Sequence, residues 1–210
     1  LSITEPQQRS IGITLVDVSR TMFYVGQFQD DQQYVMLRTF LAQVRPVEVV
    51  YNPSSLSIEA LKIIKNTPVA TVFTIRQNRY CWNQPTTLVN LEKYFSEDRT
   101  NWPEVLQNFI NQEEQEVPAI LSFGIATGYL ESVLVANQLM KVGHYREYRP
   151  DVLIGQNMIL DSQALEHLEI FECLEETGTK GINGSFYHYI NRAVSPFGKR
   201  MLKNWVAAPL

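Results

Sequence analysis

Cysteine is scarce: Cys81 and Cys173 are the two in 210 residues, far apart and at no zinc or redox spacing. That excludes a disulfide framework and points to reduced thiols. The three histidines, His144, His167 and His188, lie more than twenty positions apart and show no metal-ligand spacing. No apolar run is long enough to span a bilayer; the longest uncharged one, Val117 to Leu130, holds two glycines, a serine and a threonine. The opening LSITEPQQRS has neither a basic nor an apolar signal-peptide region. It also lacks an initiator Met, and Leu210 closes a helical pattern abruptly, so the expectation is an internal piece of a longer chain. A basic excess is missing too: 18 Lys and Arg against 22 Asp and Glu give a net charge of −4, unlike a dedicated polyanion binder.

Signatures of chemistry are equally sparse. The Gly198–Lys199 step is followed by Arg200, not by the hydroxyl residue that a phosphate loop needs for Mg²⁺. Gly178, Gly181 and Gly184 are three apart and follow no strand, and there is no GxSxG elbow. The expectation is no catalytic, cofactor-binding or metal-binding residue in this chain.

What is present is a core-forming composition, 45% hydrophobic and 19% charged. Residues 11–18 (IGITLVDV) and 21–28 (TMFYVGQF) read as an antiparallel hairpin across Ser19 and Arg20. Met36, Phe40 and Val44 predict a helix over 32–44, followed by strands at 47–51 and 69–75 with a helix at 56–64 between them. This β-β-α-β-α-β order predicts an α/β domain with a partly parallel sheet. Helices are predicted at 87–95, 102–111 and, as one long apolar element, 118–140. Residues 141–157, containing Pro150, read as a linker. The last fifty residues are predicted to be mainly helical. Asp161 is a candidate N-cap, and Ser195–Pro196 a capped helix start whose inner side is Phe197, Met201, Leu202 and Trp205. A buried Trp205 would cost roughly 3–5 kcal/mol on truncation to alanine.

Two groups of residues carry alternative readings. Asp17, with Asp30, Asp31, Glu48 or Glu92, could hold Mg²⁺ for a nuclease; equally, Asp17 could close the turn before Arg20 by accepting backbone N–H bonds. Lys199, Arg200 and Lys203 could touch phosphate or another domain. They could also be the solvated face of an amphipathic helix, or pair with the acidic stretch 161–176.

Residues 158–172 (MILDSQALEHLEIFE) and 184–210 (GSFYHYINRAVSPFGKRMLKNWVAAPL) resemble the start of the lever or core domain of the DNA mismatch-repair MutS family. The shared pattern is Leu160–Asp161, Leu165, Leu168–Glu169, Gly184–Ser185, Gly198, Arg200, Met201–Leu202, Trp205 and Pro209–Leu210, with departures at His167 and Met201. VDVSRTMFYVGQFQDD (16–31) resembles the family's connector domain, and GQFQDD with SPFGKR points to its eukaryotic homolog 6 branch. The resemblance implies a ribonuclease H-like α/β connector over 11–140, a linker at 141–157, and an incomplete all-α lever segment over 158–210. Asp161, Leu168, Glu169, Gly198, Trp205 and Pro209 are then structural motif residues. It also implies a non-catalytic relay between the mismatch-binding and ATPase parts of a longer nuclear protein. That protein would use ATP or ADP with Mg²⁺, bind mismatched double-stranded DNA, pair with MutS homolog 2 and recruit MutL-type proteins, with no membrane role. A metal-dependent nuclease fragment and a protein-binding adaptor are the alternatives.

Overall fold

The computed structural model describes residues 1–7, 9–66, 72–75, 83–112, 116–149, 158, 160–174 and 180–209. They form two compact units, one of residues 1–33 and 46–149, the other of 34–45 and 150–210.

The first unit is built on a six-stranded mixed sheet. Its strands are β1 (Ser2–Gln7), β2 (Ser10–Asp17), β3 (Met22–Gln29), β4 (Glu48–Tyr51), β5 (Val72–Ile75) and β6 (His144–Glu147). They lie in the order β5-β4-β1-β2-β3-β6. β1, β2 and β3 pair antiparallel; β4 on β1, β5 on β4 and β6 on β3 pair parallel. The hairpin and the α/β class therefore stand as the sequence predicts. Two strands do not. β1 is hidden because Ser2 and Thr4 are polar yet buried in a central strand. β6 falls inside the stretch expected to be a linker, where it continues the sheet at Met22↔His144 through Val25↔Glu147. Its alternating exposed and half-buried residues, HYRE, give only a weak apolar signal, as suits an edge strand. Residues 150–157 of the expected linker lie outside the described residues.

The predicted single helix over 118–140 is two helices, α5 (Pro118–Ser132) and α6 (Ala136–Val142). The break is a helix-ending backbone motif. Leu134 adopts the left-handed conformation at φ 62°, its N–H bonds to the Glu131 carbonyl at 3.0 Å, and the Val135 N–H bonds to the Leu130 carbonyl at 3.1 Å. Glycine usually occupies that position, so a leucine there left no stop signal to read. The other helices of this unit are α2 (Ile58–Asn66), α3 (Gln84–Leu91) and α4 (Glu104–Ile110).

α5 is buried almost all round: Pro118 to Gly128 and Leu130 are inaccessible. A helix apolar on every side has to sit inside a core. Two features seat it. Gly12 of β2 leaves room for the Pro118 carbonyl, which a Cβ at that position would overlap. Ser122 ties the helix to two strands. Its carbonyl accepts from Ser2 Oγ at 2.7 Å, and its hydroxyl shares a hydrogen bond with Thr14 Oγ1 at 2.9 Å. At the helix start, Gln84 Oε1 accepts the Val117 N–H and Gln27 Oε1 the Ala119 N–H. The core then runs through Phe23, Leu91, Trp102, Leu106, Phe109, Ile120, Phe123, Leu139 and Met140. Tyr145 stacks on Phe23 at 5.0 Å, which fixes β6 to that core.

The second unit contains α1 (Val35–Val44), α7 (Ser162–His167), a two-stranded antiparallel pair β7 (Cys173–Leu174) and β8 (Lys180–Gly181), α8 (Phe186–Ile190) and α9 (Pro196–Ala207). The expectation of an all-α segment is corrected here by the Cys173↔Gly181 ladder. α1 packs on α7. The small core of this unit is Leu165, Ile170, Phe171 and Ala207, with Ala42, Leu160, Tyr187 and Val206 against it. No helix among the described residues is long and apolar enough to cross a membrane.

The left-handed leucine yields a prediction. Leu134 is highly exposed, so Leu134→Gly loses little packing while relieving the Cβ clash. The clash is worth about 1–2 kcal/mol, against roughly 0.5–1 kcal/mol for the freer unfolded glycine. A net gain of about 0.5–1 kcal/mol is expected in urea unfolding; a lower midpoint would contradict this account of the break.

Candidate functional site

The carboxylates proposed for metal are each engaged separately. Asp17 Oδ1 accepts the Ser19 N–H at 3.0 Å, the Ser19 hydroxyl at 2.6 Å and the Arg20 N–H at 3.2 Å. This is the turn-closing reading, at an exposed hairpin tip. Glu48 Oε2 accepts from the Tyr129 hydroxyl at 2.6 Å, Glu92 from Arg99 at 3.0 Å, and Asp30 Oδ1 from the Asp31 N–H at 2.9 Å. Among the described residues no three His, Cys, Asp or Glu side chains gather in a way that could hold a metal ion. Cys81 lies outside the described residues.

The motif residues of the second unit mostly close backbone. Asp161 caps α7, its Oδ1 accepting the Ala164 N–H at 2.7 Å. The Leu168 N–H ends that helix on the Ala164 carbonyl, leaving the leucine side chain exposed. Glu169 follows in the left-handed conformation at φ 48°, and its carbonyl receives the Phe186 N–H at 3.1 Å. Ser195 caps α9 by accepting the Gly198 N–H at 3.3 Å, where a Cβ on residue 198 would stand 3.0 Å from the Ser195 hydroxyl. The Pro209 carbonyl accepts the Met158 N–H at 2.6 Å. Short polar caps and left-handed turns thus hold three short helices together around a small core.

The predicted inner side of α9 is corrected by the structure. Phe197, Met201 and Trp205 are 71%, 50% and 61% exposed, while Leu202 is half-buried. Val206 and Ala207 face the core instead. Four buried apolar side chains make a core too small to cover more than one narrow face of a twelve-residue helix. Ile182, Phe186, Tyr189 and Val194 are exposed as well. The apolar periodicity was legible; which side it faces was not.

The three basic residues are not brought together as one patch. Lys199 and Arg200 are exposed, and the Lys199 carbonyl accepts from the Tyr187 hydroxyl at 3.0 Å. Lys203 turns inward, its ammonium 5.6 Å from the centre of the Phe171 ring. Burial and the neighbouring Arg45 hold Lys203 below the usual lysine range, with Glu172 opposing. Sequence reasoning missed Arg45. Its guanidinium lies 4.7 Å from the same ring and donates to Glu172 Oε1 at 2.8 Å. The signal for it was slight: an arginine at the end of a predicted helix, just before Pro46.

Capped turns, exposed apolar side chains and a cation–aromatic cluster thus mark a small, mainly helical unit joined in sequence to an α/β sheet unit. Comparison with known families adds the rest. MutS domain II matches residues 1–146 and MutS domain III matches residues 163–210. The chain belongs to the MutS family. It is 28% identical to DNA mismatch repair protein Msh6 of Gallus gallus, over 97% of this chain and 17% of that protein. It is 29% identical to Msh6 of Homo sapiens, over 96% and 17%. It is 30% identical to MSH6 of Saccharomyces cerevisiae, over 95% and 16%. The chain thus spans about a sixth of the length of these curated relatives.

The exposure of Trp205 sets its energetic role. Trp205→Ala is expected to change the stability of the 210-residue chain by less than about 1 kcal/mol, since surface substitutions seldom exceed that. A loss of several kcal/mol in chemical denaturation would show the indole to be part of the core.

Proposed function

We propose that this chain is a section of a longer DNA mismatch-recognition protein, and that within it the two units relay movement between a mismatch-binding part and an ATPase part. The observation that carries this reading is that domains II and III of one family follow each other along one chain that forms two compact units. In this reading residues 11–140 are the body of the connector and 158–210 the beginning of the lever. A sheet unit with a dense core shifts as a body rather than deforming smoothly, which is what a relay needs. The sheet order β3-β2-β1-β4-β5, with its antiparallel and parallel halves, supports a ribonuclease H-like ancestry for the first unit.

The chain itself performs no reaction in this account. Asp17, the residue a nuclease would need, spends one carboxylate oxygen on three turn hydrogen bonds. In the longer protein, ATP or ADP with Mg²⁺ would bind outside these residues. Mismatched duplex DNA, a MutS homolog 2 partner and MutL-type proteins would be its associates, and the nucleus its site of action. Of Lys199, Arg200 and Lys203, the first two are exposed and could contact DNA or another domain in this reading.

The relay is tested by distance. Val18 of the sheet unit and Ile182 of the second unit are both exposed, so each accepts a dye on an introduced cysteine. In the full-length protein, transfer efficiency between them is expected to change when mismatched DNA and then ATP are added. An efficiency constant through both additions would exclude the relay.

A further inference from the structure

In sequence α1 lies between β3 and β4 of the sheet unit, yet it belongs to the second unit. Several independent contacts hold it there. Ala42 packs on the core of Leu165, Ile170, Phe171 and Ala207. Gln43 Nε2 donates to the Leu160 carbonyl at 3.2 Å. Arg45 ends the helix in the left-handed conformation, φ 46°, with its N–H still bonded to the Leu41 carbonyl at 3.0 Å. Its side chain then folds onto α1's neighbours: 2.8 Å from Glu172, 4.7 Å from the centre of the Phe171 ring, and only 14% exposed, with Glu172 at 22%. A left-handed backbone is costly for a non-glycine residue, and at Arg45 it coincides with a side chain held by a ring and a carboxylate. The second cation, Lys203 of α9, meets the same ring at 5.6 Å.

We propose that Arg45, clamped between the Phe171 ring and the Glu172 carboxylate, is a lock that makes α1 move with the second unit. Three elements meet at this one ring: the end of α1 through Arg45, the stretch after α7 through Phe171 and Glu172, and α9 through Lys203. A guanidinium suits the role because its flat face stacks on the ring while its edge donates to a carboxylate; an ammonium cannot do both. The second cation strengthens the dependence on Glu172. Without that carboxylate, Arg45 and Lys203 would sit beside one buried ring with their repulsion uncompensated. With the lock closed, a displacement of α7 or α9 carries α1, and through the peptide bonds at its two ends reaches Gln33 and Pro46. Arg45 is thus a positioning residue for transmitted movement. This deepens the relay reading and rests on it for its purpose, but the lock itself is tested without DNA or ATP.

Arg38 is exposed in the middle of α1, so trypsin cuts after it only when the helix opens. Cleavage there is followed by mass spectrometry in the 210-residue chain. Lys141 of α6, in the sheet unit, is the internal reference. Arg45→Met and Glu172→Met are each expected to speed cleavage after Arg38 by about tenfold, as for loss of a shielded ion pair with its ring contact. Cleavage after Lys141 should stay within twofold of the parent. The double variant should be no faster than the faster single, because both substitutions open one interaction. Unchanged cleavage after Arg38, additive effects in the double variant, or equal acceleration at Lys141 would each overturn the lock. A constant dye distance in the full-length protein would remove its purpose while leaving these rates as they are.

Discussion

The close approach of α5 to the sheet is the constraint on which the rest of the first unit depends. A helix with no polar side has nowhere to lie except within a core, and its backbone can reach the sheet only where a side chain is missing. Gly12 provides that gap opposite Pro118. Once the helix is seated, Ser122 meets Ser2 and Thr14, so these two buried hydroxyls of the central strands are bonded rather than stranded. Gln27 and Gln84 reach the N–H groups at its start, which its own N-cap, Val117, cannot satisfy. Phe23 and Tyr145 then pack on Phe123 of that helix and bring β6 onto the sheet edge. Each of these contacts presupposes the one before it.

The second unit rests on different physics. Its apolar core is small, and much of its order comes from backbone closure: Asp161 and Ser195 as caps, Glu169 and Gly184 in the left-handed region, the Pro209 carbonyl on Met158. A concentrated electrostatic feature among its described residues is the ring of Phe171 with Arg45, Lys203 and Glu172 around it. Such a unit keeps its local geometry while leaving large apolar faces uncovered, as the exposure of Phe197, Met201 and Trp205 shows. Stiffness in the sheet unit, and a ring-centred clamp in the other, are the two properties that the relay reading uses.

How much of this was legible follows from the kind of signal each element gives. The β2–β3 hairpin announced itself through two apolar runs and a polar turn, and Asp17 was rightly offered as its closing residue. Capping at Asp161 and Ser195 was legible because a cap is a local, one-residue device. β1 was not, since its buried Ser2 is satisfied by a helix about 120 positions away, and no local pattern records that. The break at Leu134 was hidden by a leucine in a glycine's conformation. Trp205 was placed on the wrong side because periodicity fixes a stripe and only the neighbouring elements decide whether it is covered. Arg45 was missed for the same reason: its ring and its carboxylate are 126 and 127 positions away in sequence.

The seat of α5 is the claim to test first, and Gly12→Ala tests it directly. The added methyl overlaps a backbone carbonyl, which cannot swing aside as a side chain would, so helix and sheet must separate. Urea unfolding of the 210-residue chain should show a loss of about 2–3 kcal/mol, as for overpacking at a rigid site. An unchanged midpoint would mean that the helix is not held against the sheet at this point, and that the order of contacts described above is wrong.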